Sequence, residues 1–204
     1  SSAMLKSNAS PAVTYQWYLV TSQSTTAIKG ATSNTYDTGP LTETTSYLVR
    51  IATADCATDS RTATVFVRPP APATVTATAM SSSSVAVSWA PVADAVSYEI
   101  YRSSEGGPFR PAGTTGATTV THSGLMADTT YLYRVAAVDI HSTESLASVI
   151  DAATTVIFTD DPIVAATTVV KADHLAQLHT VVNAYRRSAG LLPIAFGPMT
   201  PGVT

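Results

Sequence analysis

Charge is what this sequence has least of. Asp, Glu, Lys and Arg make up 12% of its 204 residues, 11 basic against 14 acidic, for a formal net charge of −3. A protein that neutralises phosphates needs a basic stripe, and none is present: residues 71–157 hold only Arg102, Arg110 and Arg134 against seven acidic side chains. Nucleic-acid binding is therefore not expected. No apolar run approaches the ~18–20 residues of a membrane helix. The opening SSAMLKSNAS has no apolar core of a signal peptide, so the chain reads as an internal piece of a longer protein. A single cysteine, Cys56, excludes an internal disulfide framework.

Catalytic constellations are missing as well. GxSxG and SxxK do not occur, and neither does the Arg-Gly-Asp adhesion tripeptide. Cys56 has no His and Asn or Asp arrangement around it to make it a nucleophile. Of four histidines, His174 and His179 share a candidate helix, but five residues turn them about 140° apart, so they cannot converge on one ion. His122 and His141 fall on a strand end and a loop. All four read as solvated or capping histidines. Asp160-Asp161-Pro162 offers oxygens to a hard cation such as Ca²⁺, yet two adjacent acids leaving a strand more often make a turn into a helix. Glu105-Gly106-Gly107-Pro108 reads as a hairpin turn and not a phosphate loop, because no helix follows it. No catalytic residue, cofactor site or metal-ligand set is expected, and the chain is not expected to be an enzyme.

What is present is period-2 alternation. In residues 84–139, Val85, Val87 and Trp89 alternate with Ala86 and Ser88; Tyr98, Ile100 and Arg102 with Glu99, Tyr101 and Ser103; Tyr131, Tyr133, Val135 and Ala137 follow the same pattern. β-Branched and aromatic residues at this spacing, broken by Ala-Pro, Gly-Gly-Pro and Ser-Gly, predict short antiparallel strands. The segment PATVTATA…VAVSWAPVADAVSYEIYRS…GLMADTTYLYRVAAVD resembles a fibronectin type III domain, assigned here to residues 73–157. The resemblance implies a β-sandwich with a buried Trp89, a Tyr131 hydroxyl tied back to upstream backbone, and a last strand at about 146–155.

Residues 1–68 repeat the layout. A strand is predicted at 2–9 and broken by Pro11, followed by a strong strand at 14–20 around Trp17. Further strands are predicted at 47–51 and 63–67. Leu41 and Tyr47 keep the six-residue spacing of Leu125 and Tyr131. The stretch YQWY…SYLVRIATADC…SRTATVFV resembles the bacterial immunoglobulin-like domains of secreted and surface proteins. That resemblance implies one further strand ahead of Ser1 and an edge left open without it. It also places the partner of Cys56 near that strand; an unpaired loop thiol is the alternative. Pro69-Pro70-Ala71-Pro72 is a stiff linker at 69–72, favouring an end-to-end arrangement.

Residues 158–204 change character. Leu175, Leu178, Val182, Tyr185 and Ala189 form one apolar stripe, predicting a helix at about 171–189. Arg186 and Arg187 sit in its last turn and Gly190 at its C′ position. A single helix cannot bury its stripe alone, so the stripe is expected against the preceding sandwich or a neighbour. The tail resembles a C-terminal helical repeat that follows fibronectin-like domains in some bacterial secreted proteins. Residues 162–168 can also be laid on 198–204, as though a second copy began there.

The fold class expected is mostly β, two tandem immunoglobulin-like and fibronectin type III sandwiches followed by a short α-helical segment. The function expected is that of a non-catalytic structural or adhesive segment of a bacterial extracellular or cell-surface protein, including a subunit of a filament. Accessory modules of a secreted hydrolase are the alternative. Expected partners are proteins, including copies joined end to end through the open edge and the helix, and surface glycans stacked on exposed Tyr18, Tyr36, Tyr101 and Phe109.

Overall fold

The computed structural model describes residues 2–7, 13–162, 164, 165, 167, 169 and 171–197. It is mostly β and divides into two compact units, Ser1–Arg68 and Pro69–Thr204. Residues 8 and 9 of the first predicted strand, the Pro11 expected to break it, residues 163, 166 and 168 of the first repeat copy and all of the 198–204 copy lie outside the described residues.

In the first unit, β1 (Met4–Lys6) pairs with β4 (Thr35–Asp37) in a two-stranded sheet. The second sheet is built on β2 (Thr14–Val20) and β5 (Thr45–Ala52), antiparallel with Trp17 opposite Val49. β3 (Thr25–Ala27) flanks β2, while β6 (Ala57–Asp59) and β7 (Ala63–Val65) pair with opposite ends of β5. Between β6 and β7, Ser60 continues the ladder, its hydroxyl accepting the Val49 N–H at 3.0 Å. Trp17, Tyr47 and Val49 form the core, with Leu5 and Tyr36 packed against them. The indole N–H of Trp17 donates to the Ser33 carbonyl at 2.8 Å.

The second unit opens with a three-stranded sheet of β8 (Val75–Ser81), β9 (Ser84–Trp89) and β12 (Thr119–Ser123). Facing it is a four-stranded sheet in the order β11 (Arg110–Thr115), β10 (Ala95–Ser104), β13 (Thr130–Asp139), β14 (Asp151–Thr154). The alternation read from sequence is the alternation of burial: Val85, Val87, Trp89, Tyr98, Ile100, Tyr131, Tyr133, Val135 and Ala137 make one core. The Tyr131 hydroxyl accepts the Met126 N–H at 2.9 Å and fastens the corner before β13.

The last strand is shorter than predicted. Only Asp151–Thr154 pairs regularly, and residues 145–148 are held by serines instead. Ser145 and Ser148 donate their own N–H groups to the Ala137 and Val135 carbonyls. Their hydroxyls accept the Ala137 and Val135 N–H groups at 2.8 and 3.0 Å, in place of strand carbonyls. A hydroxyl that serves as a ladder acceptor satisfies β13 while freeing the backbone from strand geometry.

The helix α1 (Ala172–Ser188) belongs to this second unit and packs on β13, with β10 and β14 beside it. Its end is a Schellman motif: the Leu191 N–H donates to the Arg186 carbonyl, Gly190 N–H to Arg187, and Gly190 has φ +73°.

Candidate functional site

The helix does not bury the stripe that the sequence offers. Leu175, Leu178, Val182 and Tyr185 are all exposed, Leu178 by 49%. The face turned inward runs His174, Gln177, Val181, Ala184 and Ser188, with His174 and Ala184 fully buried and the others half-buried. These positions are the predicted stripe moved back by one residue, a rotation of about 100°. Of the two covers expected for the stripe, the preceding sandwich or a neighbour, the sandwich is not the one that takes it. Small and polar side chains make the contact, and they let backbones approach. The turn Glu105-Gly106, both residues at positive φ, connects β10 to β11 beside the helix end. The Arg187 guanidinium donates to the Asp128 carbonyl at 2.9 Å, and Thr159 and Gln177 exchange hydrogen bonds.

At the start of the helix, Asp160 accepts from Lys171 Nζ at 2.6 Å and contacts His174 Nε2 at 3.3 Å. His174 Nδ1 accepts the Lys171 N–H at 3.2 Å, so the ring caps the helix and its proton sits on the nitrogen facing Asp160. The Lys171 hydrogen bond lowers the Asp160 carboxyl below its ordinary range, and the Lys171 ammonium is raised in return. Asp160 is thereby committed to the turn and helix start. Phe158, Thr159, Asp161, His174 and Leu178 surround it in an open pocket of about 360 Å³. At the other end the chain folds back along the helix: Asn183 exchanges two hydrogen bonds with Ile194, Arg186 Nε donates to the Leu192 carbonyl, and Phe196 stacks on His179 with ring centroids 3.6 Å apart. Leu191, Leu192 and Ile194 stay exposed, Leu192 by 83%. The result is an apolar strip on α1 that is continuous with an apolar tail.

The other sequence candidates do not meet there. His122 is half-buried on β12, its Nδ1 3.3 Å from the Tyr133 hydroxyl, and burial together with Arg102 pushes its pKa down. His141 sits in a turn held by Asp139. Cys56 is exposed between β5 and β6 as a free thiol. None of the four aromatics expected on the surface is fully exposed. Tyr36 packs against Trp17 and Tyr47, and the Arg50 guanidinium lies over Tyr18. The Arg134 guanidinium lies 5.3 Å from the centre of Tyr101 and 4.5 Å from that of Phe109. Tyr101 donates to Glu144 at 2.6 Å, which, with burial, pushes its phenol up to about 12. Each guanidinium thus takes up part of the ring surface that a stacked sugar would use. Sequence reasoning passes over Phe158, Asn183 and the Leu191–Leu192 tail, since none carries a motif; the fold-back is visible only in the folded chain.

A sandwich of three and four strands with a tyrosine corner is the architecture of fibronectin type III domains, and residues 70–151 match that family. Residues 1–69 match the family described as Domain of unknown function (DUF8696). A poly(3-hydroxybutyrate) depolymerase from Ralstonia pickettii is 46% identical over 72 residues, which are 35% of this chain and 14% of that protein. The matched stretch therefore spans a small part of that relative's length. Among solved structures, a fibronectin-like protein from Clostridium thermocellum is 28% identical, over 43% of this chain and 94% of the other, at a TM-score of 0.40. A two-domain fibronectin type III segment of chicken tenascin is 17% identical over 68% and 82%, at a TM-score of 0.47.

Proposed function

We propose that the chain is a non-catalytic structural or adhesive segment of a bacterial extracellular or cell-surface protein, acting by presenting surface and not by chemistry. The observation that carries this reading is the outward apolar stripe of α1 on a fibronectin type III domain. Its polar neighbours Asp160, Lys171 and His174 are spent on one another. An amphipathic helix docked by its small and polar face leaves its strongest contact surface for a partner. Among the described residues no three His, Cys, Asp or Glu side chains gather as a metal site. The purified chain is expected to turn over no ester, glycoside, peptide or phosphate substrate. Saturable turnover abolished by one point substitution would refute the reading.

The kinship with part of a depolymerase favours a second reading, in which the chain is an accessory module of a polymer-degrading enzyme. On that reading the chain would sediment with poly(3-hydroxybutyrate) granules but not with cellulose, whereas a segment serving only as a spacer would sediment with neither.

A further inference from the structure

The exposed stripe has the properties of a surface that fits itself. Leu175, Leu178, Val182 and Tyr185 run the length of α1, a helix of 17 residues and so about 25 Å long. At the N-terminal end of the stripe is the pocket between Phe158 and Leu178, about 360 Å³ in volume. At the C-terminal end the folded-back tail holds Leu192 out into solvent beside Arg186, 83% exposed. One end thus offers a hollow and the other a knob.

Charge follows the same division. Beyond the Asp160–Lys171–His174 cluster, the N-terminal end carries Asp161 and Asp173. The C-terminal end carries Arg186 and Arg187, whose hydrogen bonds go to the Leu192 and Asp128 carbonyls and not to carboxylates. Of these, Asp161 lines the hollow and Arg186 holds the Leu192 knob, so the two charges repel in a parallel pairing and attract in an antiparallel one, as do the two helix dipoles.

We propose that a second copy of this chain covers the stripe, its α1 antiparallel to the first about a two-fold axis near Val182. Leu192 of each copy then fills the Phe158–Leu178 pocket of the other. Such a contact is isologous: it closes after two copies, unlike a head-to-tail contact that would propagate. Apolar burial drives it and the terminal charges set its direction.

The pairing rests on the same outward stripe as the non-catalytic reading, but the two are tested separately. A strictly monomeric chain would remove the pairing and leave that reading standing, and enzymatic turnover would do the reverse.

The test is the mass of the intact chain in solution, measured by light scattering and sedimentation across a dilution series. The expected result is a reversible dimer at high concentration that is lost in the double variant Leu178→Glu, Val182→Glu. Both side chains are exposed, so an unchanged melting curve for that variant verifies its fold. Direction is read with cysteines in a Cys56→Ser background under mild oxidation. Val182→Cys is expected to form a disulfide with its own copy. Leu175→Cys is expected to cross-link only when mixed with Ala189→Cys. A chain that is monomeric throughout, a dimer that survives the double glutamate variant, or Leu175→Cys cross-linking to itself would each overturn the proposal.

Discussion

Gly106 and Gly190 meet backbone to backbone: a Cβ placed on Gly106 would lie 2.9 Å from the Gly190 Cα and 3.0 Å from its nitrogen. Gly106 also sits at φ +72°, a conformation that side chains other than Gly rarely adopt. The β10–β11 turn and the end of α1 are therefore joined by the absence of a side chain on Gly106, while Gly190 is required by its φ of +73° and not by space, since a Cβ there would meet nothing within 4 Å. Gly106→Ala is expected to cost roughly 1–3 kcal/mol through strain and steric conflict combined. Hydrogen exchange should show the loss as faster opening of the α1 amides, with the β9 and β13 amides little changed.

Tyr131 holds its corner through one hydrogen bond from the Met126 N–H. Tyr131→Phe keeps the buried ring and removes only the acceptor. The expected loss is about 0.5–1.5 kcal/mol, measured by chemical denaturation with an unchanged slope.

Trp89 and Trp17 are the largest side chains of their two cores, and both are buried. Trp89→Ala is expected to cost about 3–5 kcal/mol, enough to abolish the cooperative transition of the fibronectin type III unit. Trp17→Ala adds the loss of the hydrogen bond to the Ser33 carbonyl. A cooperative transition surviving in Trp89→Ala would show that the core lies elsewhere.

His122 gives the second unit a dependence on pH. Burial, then the nearby Arg102 charge, depress its folded-state pKa below the ordinary 6.5. The folded state thus binds fewer protons than the unfolded one just below that value, and stability rises with pH across the window. The contribution is present above pH 6.5 and is lost as pH falls from there through the depressed folded value. A melting temperature that drops between pH 7 and pH 5 in the natural chain should drop less in His122→Gln.

Much of this fold is legible in the residues. Period-2 alternation around Trp89, Tyr98 and Tyr133 marks the buried faces because a sheet covered on one side forces that pattern. The helix at 171–189 is found within a residue at each end, since Lys171 and Gly190 bound it. The face by which it docks is not legible. Hydrophobic periodicity finds Leu175, Leu178, Val182 and Tyr185, but cannot say whether an apolar stripe serves its own domain or another surface. Docking here is decided by what permits close approach, Ala184 and the Gly106–Gly190 contact, which have no apolar signature. The sequence pattern over-extends the last strand for a similar reason: Ser145 and Ser148 replace ladder carbonyls with hydroxyls, and a strand pattern does not register that exchange. Tyr101 and Phe109 look like free aromatics until Arg134 is found between them.

The outward direction of the α1 stripe is the central claim, and thiol accessibility tests it directly. In a Cys56→Ser background at high dilution, Leu178→Cys should react with a maleimide at nearly the rate of an unfolded thiol. Ala184→Cys, further along the helix but on the inward face, should stay protected until the unit is unfolded. Rapid labelling of Ala184→Cys with protection of Leu178→Cys would contradict the claim, placing the stripe against the sandwich after all.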